Sequence, residues 1–510
     1  MVAGPSPPSA RAAGAMDNYA DIDAIGLAER LRTGAIGPRE LIDAAIAAIE
    51  RVNPALNAIV HRMYEKARAS ADDARKLPEG PFRGVPFVLK DLDGALAGEP
   101  YTMSSRHLER YVPEHDAEIV ARIKRTGVII VAKTNAPEFG ILGVTEPELR
   151  GATCNPWDIG RTPGGSSGGT AALVASRAVP MGHGGDGGGS IRVPASACAL
   201  FGLKTTRGRN PVGPDHGELW GGYVQPGVLT RSVRDCAAML DATQGPEPGA
   251  PYEVRPPARP YLEEVGAPAG RLRIAFSKGS LYGKTIHADC VDAVESAAKV
   301  LTELGHEVVE AAPSFDRDEA VAAYFVQVAT STAAAIDEAA RLAGRRATPR
   351  GFEASTWLLG QIGRKLTALD LERSRATSMQ LGRRLAAFFG TYDLFLCATL
   401  ADLPAKIGEL ALKPAERLGL AALRVFPAKG LLDRVLADLG AKNLERTPNT
   451  MMFNQTGYPA MNVPLHWNGQ GLPVGVQFAA RFGDEATLFR LAAQLEAARP
   501  WTVRKPPVHA

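Results

Sequence analysis

The 510-residue chain has few of the features that announce metal, disulfide, membrane or nucleic-acid chemistry. Its five cysteines, Cys154, Cys198, Cys236, Cys290 and Cys397, are odd in number and far apart, and no C-x-x-C occurs. That argues against a zinc ribbon and a disulfide framework, and it fits a reducing cytoplasm. The nine histidines are scattered and H-E-x-x-H is absent, so no metal is expected. No 18 apolar residues run uninterrupted, so no membrane-spanning helix is expected. Net charge is only +3, and Lys and Arg nowhere cluster, so nucleic acid is not an expected partner. The first 15 residues lack the charged start and apolar core of a secretory signal. Residues 1–16 are expected to be a disordered tail, with Met16 as an alternative start.

Glycine and proline are abundant instead. The chain holds 53 Gly and 38 Pro, above the roughly 7% and 5% of a typical soluble protein. No fixed Gly period exists, which excludes collagen. With 45% apolar and 22% charged residues, bulk disorder is excluded as well. The surplus is local: residues 151–230 hold 19 of the glycines.

The patterning reads as α/β. Residues 20–78 are helical in pattern, with Pro38 opening a helix whose apolar face is Leu41, Ile42, Ala45, Ile46 and Ile49. Residues 84–91 and 128–132 read as buried strands separated by a helix over 117–125. Residues 140–230 read mainly as loops, with a short helix at 170–176, a strand at 179–181 and a helix at 231–243. Further strands are expected at 272–276, 393–397, 460–464 and 474–478. Helices are expected across 317–390 and 410–445 and at 485–497.

Two clusters hold ten of those 19 glycines. One is Gly164-Gly165-Ser166-Ser167-Gly168-Gly169. The other runs from Gly182 through His183, Gly184, Gly185, Asp186, Gly187, Gly188 and Gly189 to Ser190. Flexible linkers do not interpose a helix and a strand between such clusters. Phosphate binding is a second reading, but G-x-x-x-x-G-K-[ST] is absent. The formal G-x-G-x-x-G at Gly182 is followed by no helical pattern. An α/β-hydrolase elbow at Ser166 would need a buried strand before it, which Arg161-Thr162-Pro163 is not. The remaining reading is acyl transfer. Bare amides beside Ser190 could face an oxyanion, and Lys90, ending an apolar strand, could act as a base if burial lowers its pKa.

These segments resemble the amidase signature family. Gly84-Val85-Pro86-Phe87-Val88-Leu89-Lys90-Asp91, Lys133-Thr134-Asn135, both Gly clusters, Gly202-Leu203-Lys204, Phe453-Asn454 and Gly471-Leu472-Pro473-Val474-Gly475 follow in the family's order. The resemblance spans roughly residues 20–505. It implies a large central mixed β-sheet covered by helices on both faces, and a single amidase domain over 17–510. The helical region about 317–445 would be a cap over the active site. It also implies a Ser–cis-Ser–Lys triad: Ser190 as nucleophile, Ser166 as the bridging serine in a cis peptide, and Lys90 as base. The amides of Gly187, Gly188, Gly189 and Ser190 would form the oxyanion hole. Ser167 is the rival for Ser166. Asp186 is expected to order the Gly loop, and Arg192 to be a structural ion-pair partner rather than a substrate ligand.

Met103, Phe139, Gly140, Ile141 and Leu142 are the implied substrate-binding residues, and no cofactor is implied. Many members carry a hydroxyl residue where this chain has Gly187. His183 and Ile407-Gly408-Glu409-Leu410 look similar to the branch of 6-aminohexanoate cyclic-dimer hydrolases, aryl acylamidases and urethanases. The implied substrate is a neutral, fairly hydrophobic amide, anilide or carbamate, since no Arg or Asp is visibly placed to select charge. Esterase and urethanase side activity is compatible with this, and so is a homo-oligomer. Two other functions remain open on the residues: the glutaminase subunit of a tRNA-dependent amidotransferase, and a non-catalytic nucleotide- or anion-binding protein.

Overall fold

Eleven strands form one mixed sheet in a computed structural model that describes residues 19–411 and 446–510. In chain order they are β1 (Ile59–Arg62), β2 (Pro86–Lys90), β3 (Ile129–Thr134), β4 (Met181–Asp186), β5 (Phe201–Lys204) and β6 (Gln225–Thr230). Then come β7 (Arg273–Phe276), β8 (Glu307–Glu310), β9 (Leu394–Ala398), β10 (Ala460–Trp467) and β11 (Pro473–Ala480). Their order across the sheet is β1-β3-β2-β4-β6-β5-β10-β11-β9-β7-β8. The neighbours of β2, and those of β7, run parallel to it; the other pairs are antiparallel. The expected 1–16 tail lies outside the described residues, and so does most of the helix expected at 410–445.

Alternation along the strands divides the interior in two. Leu394, Leu396 and Ala398 of β9 join one core, while Phe395 and Cys397 join the other. Successive strand side chains point to opposite faces, so each core needs its own helical cover. The first is covered by Pro38–Leu56, Val233–Thr243, Ala288–Glu303 and Glu485–Ala498. Pro38 opens its helix in the first turn, and all five apolar positions of the expected face are buried. The second core is covered by Arg317–Leu342, Ala354–Gly363, Ala368–Thr391 and Met451–Thr456.

Several local expectations need correcting. The span 20–78 contains an edge strand, β1, paired with β3. Residues 317–390 are helical as expected, and they form three helices, interrupted around Pro349–Gly351 and restarted at Thr367, whose side chain accepts from Asp370 N. The strand expected at 179–181 starts at Met181 and continues through half of the second Gly cluster. Glycine is depleted in strands, which hid β4. Here glycine is required by space: a Cβ on Gly182 would sit 2.5 Å from Val88 Cγ2, and one on Gly185 2.2 Å from Asp93 Oδ2.

By length and composition Arg317–Leu342 could cross a membrane, although its apolar residues are not consecutive. Half of that window is buried inside the protein, against the two helices that follow it. Its apolarity is that of a core helix.

Candidate active site

β2 ends at Lys90 and β4 ends at Asp186, and the chemistry-bearing residues collect beyond these two strand ends. Lys90 is fully buried. Its Nζ donates to Ser166 Oγ at 2.8 Å and lies 3.4 Å from the Gly185 carbonyl oxygen and 3.5 Å from Asp93 Oδ2. The Gly165–Ser166 peptide bond is cis. Ser167 turns elsewhere: its Oγ contacts Gly185 O at 3.4 Å and its amide bonds Ser190 O at 3.2 Å. The geometry therefore puts Ser166 rather than Ser167 beside the lysine.

Burial holds the Lys90 pKa below the ordinary 10.5, because a charged ammonium loses its hydration there. The carboxylates of Asp93 and, further off, Asp186 oppose that shift. His183, buried nearby on β4, bonds through neither ring nitrogen among the described residues. Burial, helped by the charges of Lys90 and Lys133, pushes its pKa down to about 3, so the ring is neutral at working pH. Lys133 is paired with Asp91 at 2.7 Å.

After β4 the chain turns through Gly187, Gly188 and Gly189 to Ser190. Asp186 organises this turn, as expected: its carboxylate accepts from the amides of Gly189 at 2.7 Å, Ile191 at 3.1 Å and Arg192 at 3.3 Å. Arg192 clamps the same carboxylate through Nε at 2.9 Å and Nη2 at 2.8 Å. That pair holds the Asp186 carboxyl well below the usual range despite complete burial. The guanidinium also donates to Thr450 O, Gln477 Oε1 and Asn454 Oδ1.

Two of the loop's carbonyls are held as well. Tyr324 OH donates to Gly187 O at 3.1 Å and Thr450 Oγ1 to Gly188 O at 2.6 Å. In a trans peptide N–H and C=O point oppositely, so fixing the oxygen aims the next amide. The four amides expected to form the oxyanion hole are not alike. Gly189 N is taken by Asp186, whereas the amides of Gly187, Gly188 and Ser190 bond to no other group among the described residues. Similarly, the amides of β4 belong to its ladder with β6. The short helix Arg192–Ala197, which the pattern did not reveal, begins where Asp186 already occupies its first amides, so this is no phosphate nest.

Ser190 lies at the junction of two cavities. One, of about 890 Å³, is also lined by Ser166, Asp93, Gly185 and Gly187. The other, of about 90 Å³, is lined by Gly165, Gly188 and Gly189 and by mostly apolar side chains. The five implied substrate-binding residues are split between them: Met103 and Phe139 face the large cavity, Ile141 and Leu142 the small one, and Gly140 both. The sequence showed no Arg or Asp visibly placed to select charge, yet charged side chains do line the large cavity. Asp93, Glu114, Asp215, Glu218, Glu338 and Arg341 line the large cavity. They come from distant segments, so no local sequence window shows them together. Tyr324 and Thr450 were likewise not foreseen. Tyr324 sits in a long helix with no local signal, whereas Asp93 lies only three positions after Lys90.

The loop's tolerance is narrow at Gly188, where a Cβ would lie 2.2 Å from Tyr324 OH. Gly188→Ala should lower kcat about 100-fold, the scale of losing one oxyanion donor. Tyr324→Phe in that background should recover part of it by removing the colliding oxygen. Steady-state kinetics of both variants on an anilide would check this, and an unimpaired Gly188→Ala enzyme would contradict it.

Comparison with known proteins places the fold among amide-bond hydrolases. The chain belongs to the amidase signature family: the family model described as Amidase matches residues 40–489. The 6-aminohexanoate-cyclic-dimer hydrolase of Pseudomonas sp. (strain NK87) is 35% identical over 495 residues, covering 95% of this chain and 96% of that protein. A solved 6-aminohexanoate cyclic dimer hydrolase complexed with substrate superimposes with a TM-score of 0.87 at 34% identity, covering 96% of this chain and 100% of that one. A bacterial aryl acylamidase of the amidase signature enzymes shares the fold, with a TM-score of 0.82 at 24% identity over 96% of this chain and 99% of its own. The branch suggested by His183 and residues 407–410 agrees with these relatives.

Proposed function

We propose that the chain hydrolyses linear or cyclic amides, anilides and carbamates through an acyl-enzyme on Ser190, with Ser166 and Lys90 as the proton relay. The observation that carries this reading is the fully buried Lys90 bonded at 2.8 Å to Ser166 Oγ, in the same cavity as Ser190, whose own amide and those of Gly187 and Gly188 are unbonded among the described residues. Neutral Lys90 takes a proton from Ser166 while Ser166 takes the proton of Ser190. Ser190 Oγ then bonds the substrate carbonyl carbon, and the oxyanion is met by the amides of Gly187, Gly188 and Ser190. Gly189 serves the loop through Asp186 instead. As the C–N bond breaks, the nitrogen receives a proton from Ser166, which is reprotonated by Lys90. Water then attacks the ester by the same relay, releasing the acid and restoring Ser190. Ser190 Oγ makes no hydrogen bond among the described residues; catalytic contacts commonly tighten only once substrate is bound.

A fluorophosphonate probe should label Ser190, which a purely anion-binding protein would not permit. The isolated chain should hydrolyse p-nitroacetanilide faster than glutamine; the reverse order would favour the amidotransferase-subunit reading. If Lys90 acts as a neutral base, activity rises with pH through its pKa. Asp93 raises that pKa, so Asp93→Asn should move the acid limb of kcat/KM to lower pH. Asn suits the left-handed backbone at this position (φ 61°). A limb that stays put, or moves upward, would detach Lys90 from the rate profile.

A further inference from the structure

We propose that the two cavities meeting at Ser190 divide the substrate, the small one receiving a short acyl group and the large one a bulky amine. This rests on the acyl-enzyme reading above. The argument begins with the proton path. The leaving nitrogen must take its proton from Ser166, so it must lie on the side where Ser166 is open. Ser166 lines the large cavity and is not among the residues lining the small one. The oxyanion is directed at the glycine amides. The acyl chain is the third substituent on the tetrahedral carbon, and the space left for it is the small cavity beyond Gly188 and Gly189.

The walls fit that division. Ile141, Leu142, Phe325, Val328, Leu359 and Met451 make the small cavity apolar. At roughly 10–15 Å³ per water-sized group, its 90 Å³ holds a chain of about six to nine carbons. The large cavity is ten times that size and has both apolar walls, including Met103 and Phe139, and charged ones. A single helix, Arg317–Leu342, forms part of both. Tyr324, Phe325 and Val328 face the small cavity, and the later turns from Ser331 to Leu342 face the large one. The boundary between the compartments is thus set by a rigid element packed in the second core.

The test is a pair of substrate series on the full chain. In the first, the 4-nitroanilides of acetic, butyric, hexanoic and dodecanoic acids vary only the acyl group. In the second, the acetamides of 4-nitroaniline, 7-amino-4-methylcoumarin and 4-benzylaniline vary the amine. We expect kcat/KM to fall at least tenfold from the hexanoyl to the dodecanoyl anilide. Leu359→Ala should relieve that fall at least tenfold without changing the ratios within the amine series. Ala335→Trp, on the large-cavity wall, should penalise 4-benzylaniline at least tenfold relative to 4-nitroaniline and leave the acyl ratios alone. A wild-type enzyme that takes dodecanoyl as readily as acetyl would overturn the division, as would Leu359→Ala acting only on the amine series. Intact-mass detection of acyl-Ser190 separates the two levels. An acyl adduct with the reversed size preferences defeats the division alone. Turnover without any adduct on Ser190 defeats the catalytic reading beneath it.

Discussion

A Ser190→Ala enzyme should lose amide turnover by about five to six orders of magnitude, the scale seen when the nucleophile of a serine-hydrolase triad is removed. The loss should come in kcat, because the cavity walls that bind substrate are untouched. It should also come without unfolding, since Ser190 Oγ bonds nothing among the described residues and Ser190 is partly exposed where it lines the cavity. Lys90→Ala should be severe as well, and combining the two should cost little beyond Ser190→Ala alone, because a relay without its nucleophile has no proton to move. Lys90→Ala differs in one respect: it leaves Asp93 without its nearest cation, 3.5 Å away. Its thermal midpoint should therefore be compared with that of Ser190→Ala before its kinetics are read. Single-turnover kinetics on an activated anilide, with fluorophosphonate labelling as a control, would decide the matter. A Ser190→Ala enzyme within tenfold of wild type would place the nucleophile elsewhere.

The site was legible in the sequence to the extent that its chemistry is carried by residues close together along the chain or tied to a family motif. Lys90 at the end of an apolar pentapeptide and the two Ser-Gly clusters could be read directly, and their order resembled a family. What the sequence concealed was how one Gly-rich run is divided. Up to Asp186 it is a strand paired with β6, with glycine at 182 and 185 because Val88 and Asp93 leave no room for a Cβ. Beyond Asp186 it is a turn aimed by Tyr324 and Thr450. The same letters serve opposite ends: strand amides are bonded to a neighbour, while the turn's amides at Gly187, Gly188 and Ser190 are left unbonded among the described residues. No local propensity shows how the turn is held, because the groups that fix its carbonyls lie more than 130 residues away in Tyr324 and 260 in Thr450. The charged lining of the large cavity was hidden for the same reason.

Asp186→Ala should be the most destabilising substitution at the site, on the order of 3–5 kcal/mol, the usual cost of stranding one partner of a buried ion pair. Arg192 would keep its full burial and lose the carboxylate that neutralises it. Because the Asp186 pKa is depressed below the ordinary 3.8, this stabilisation is fully present at neutral pH and is lost only as pH falls into strong acid. Removing both charges should behave differently. Asp186→Ala with Arg192→Met has no unpaired buried ion, so its denaturant midpoint should recover much of the distance to wild type. Its activity should not recover with it. The amides of Gly189, Ile191 and Arg192 would still lack the oxygen atoms that now fix them, and the Gly187–Ser190 turn would lose its inner anchor. The expected result is a folded enzyme with kcat at least 100-fold below wild type. Urea midpoints and kcat measured on the three proteins separate the two roles. If activity returns in step with stability, Asp186 serves the fold alone. If the double variant folds and stays inactive, the carboxylate is what holds the amides in line with the substrate.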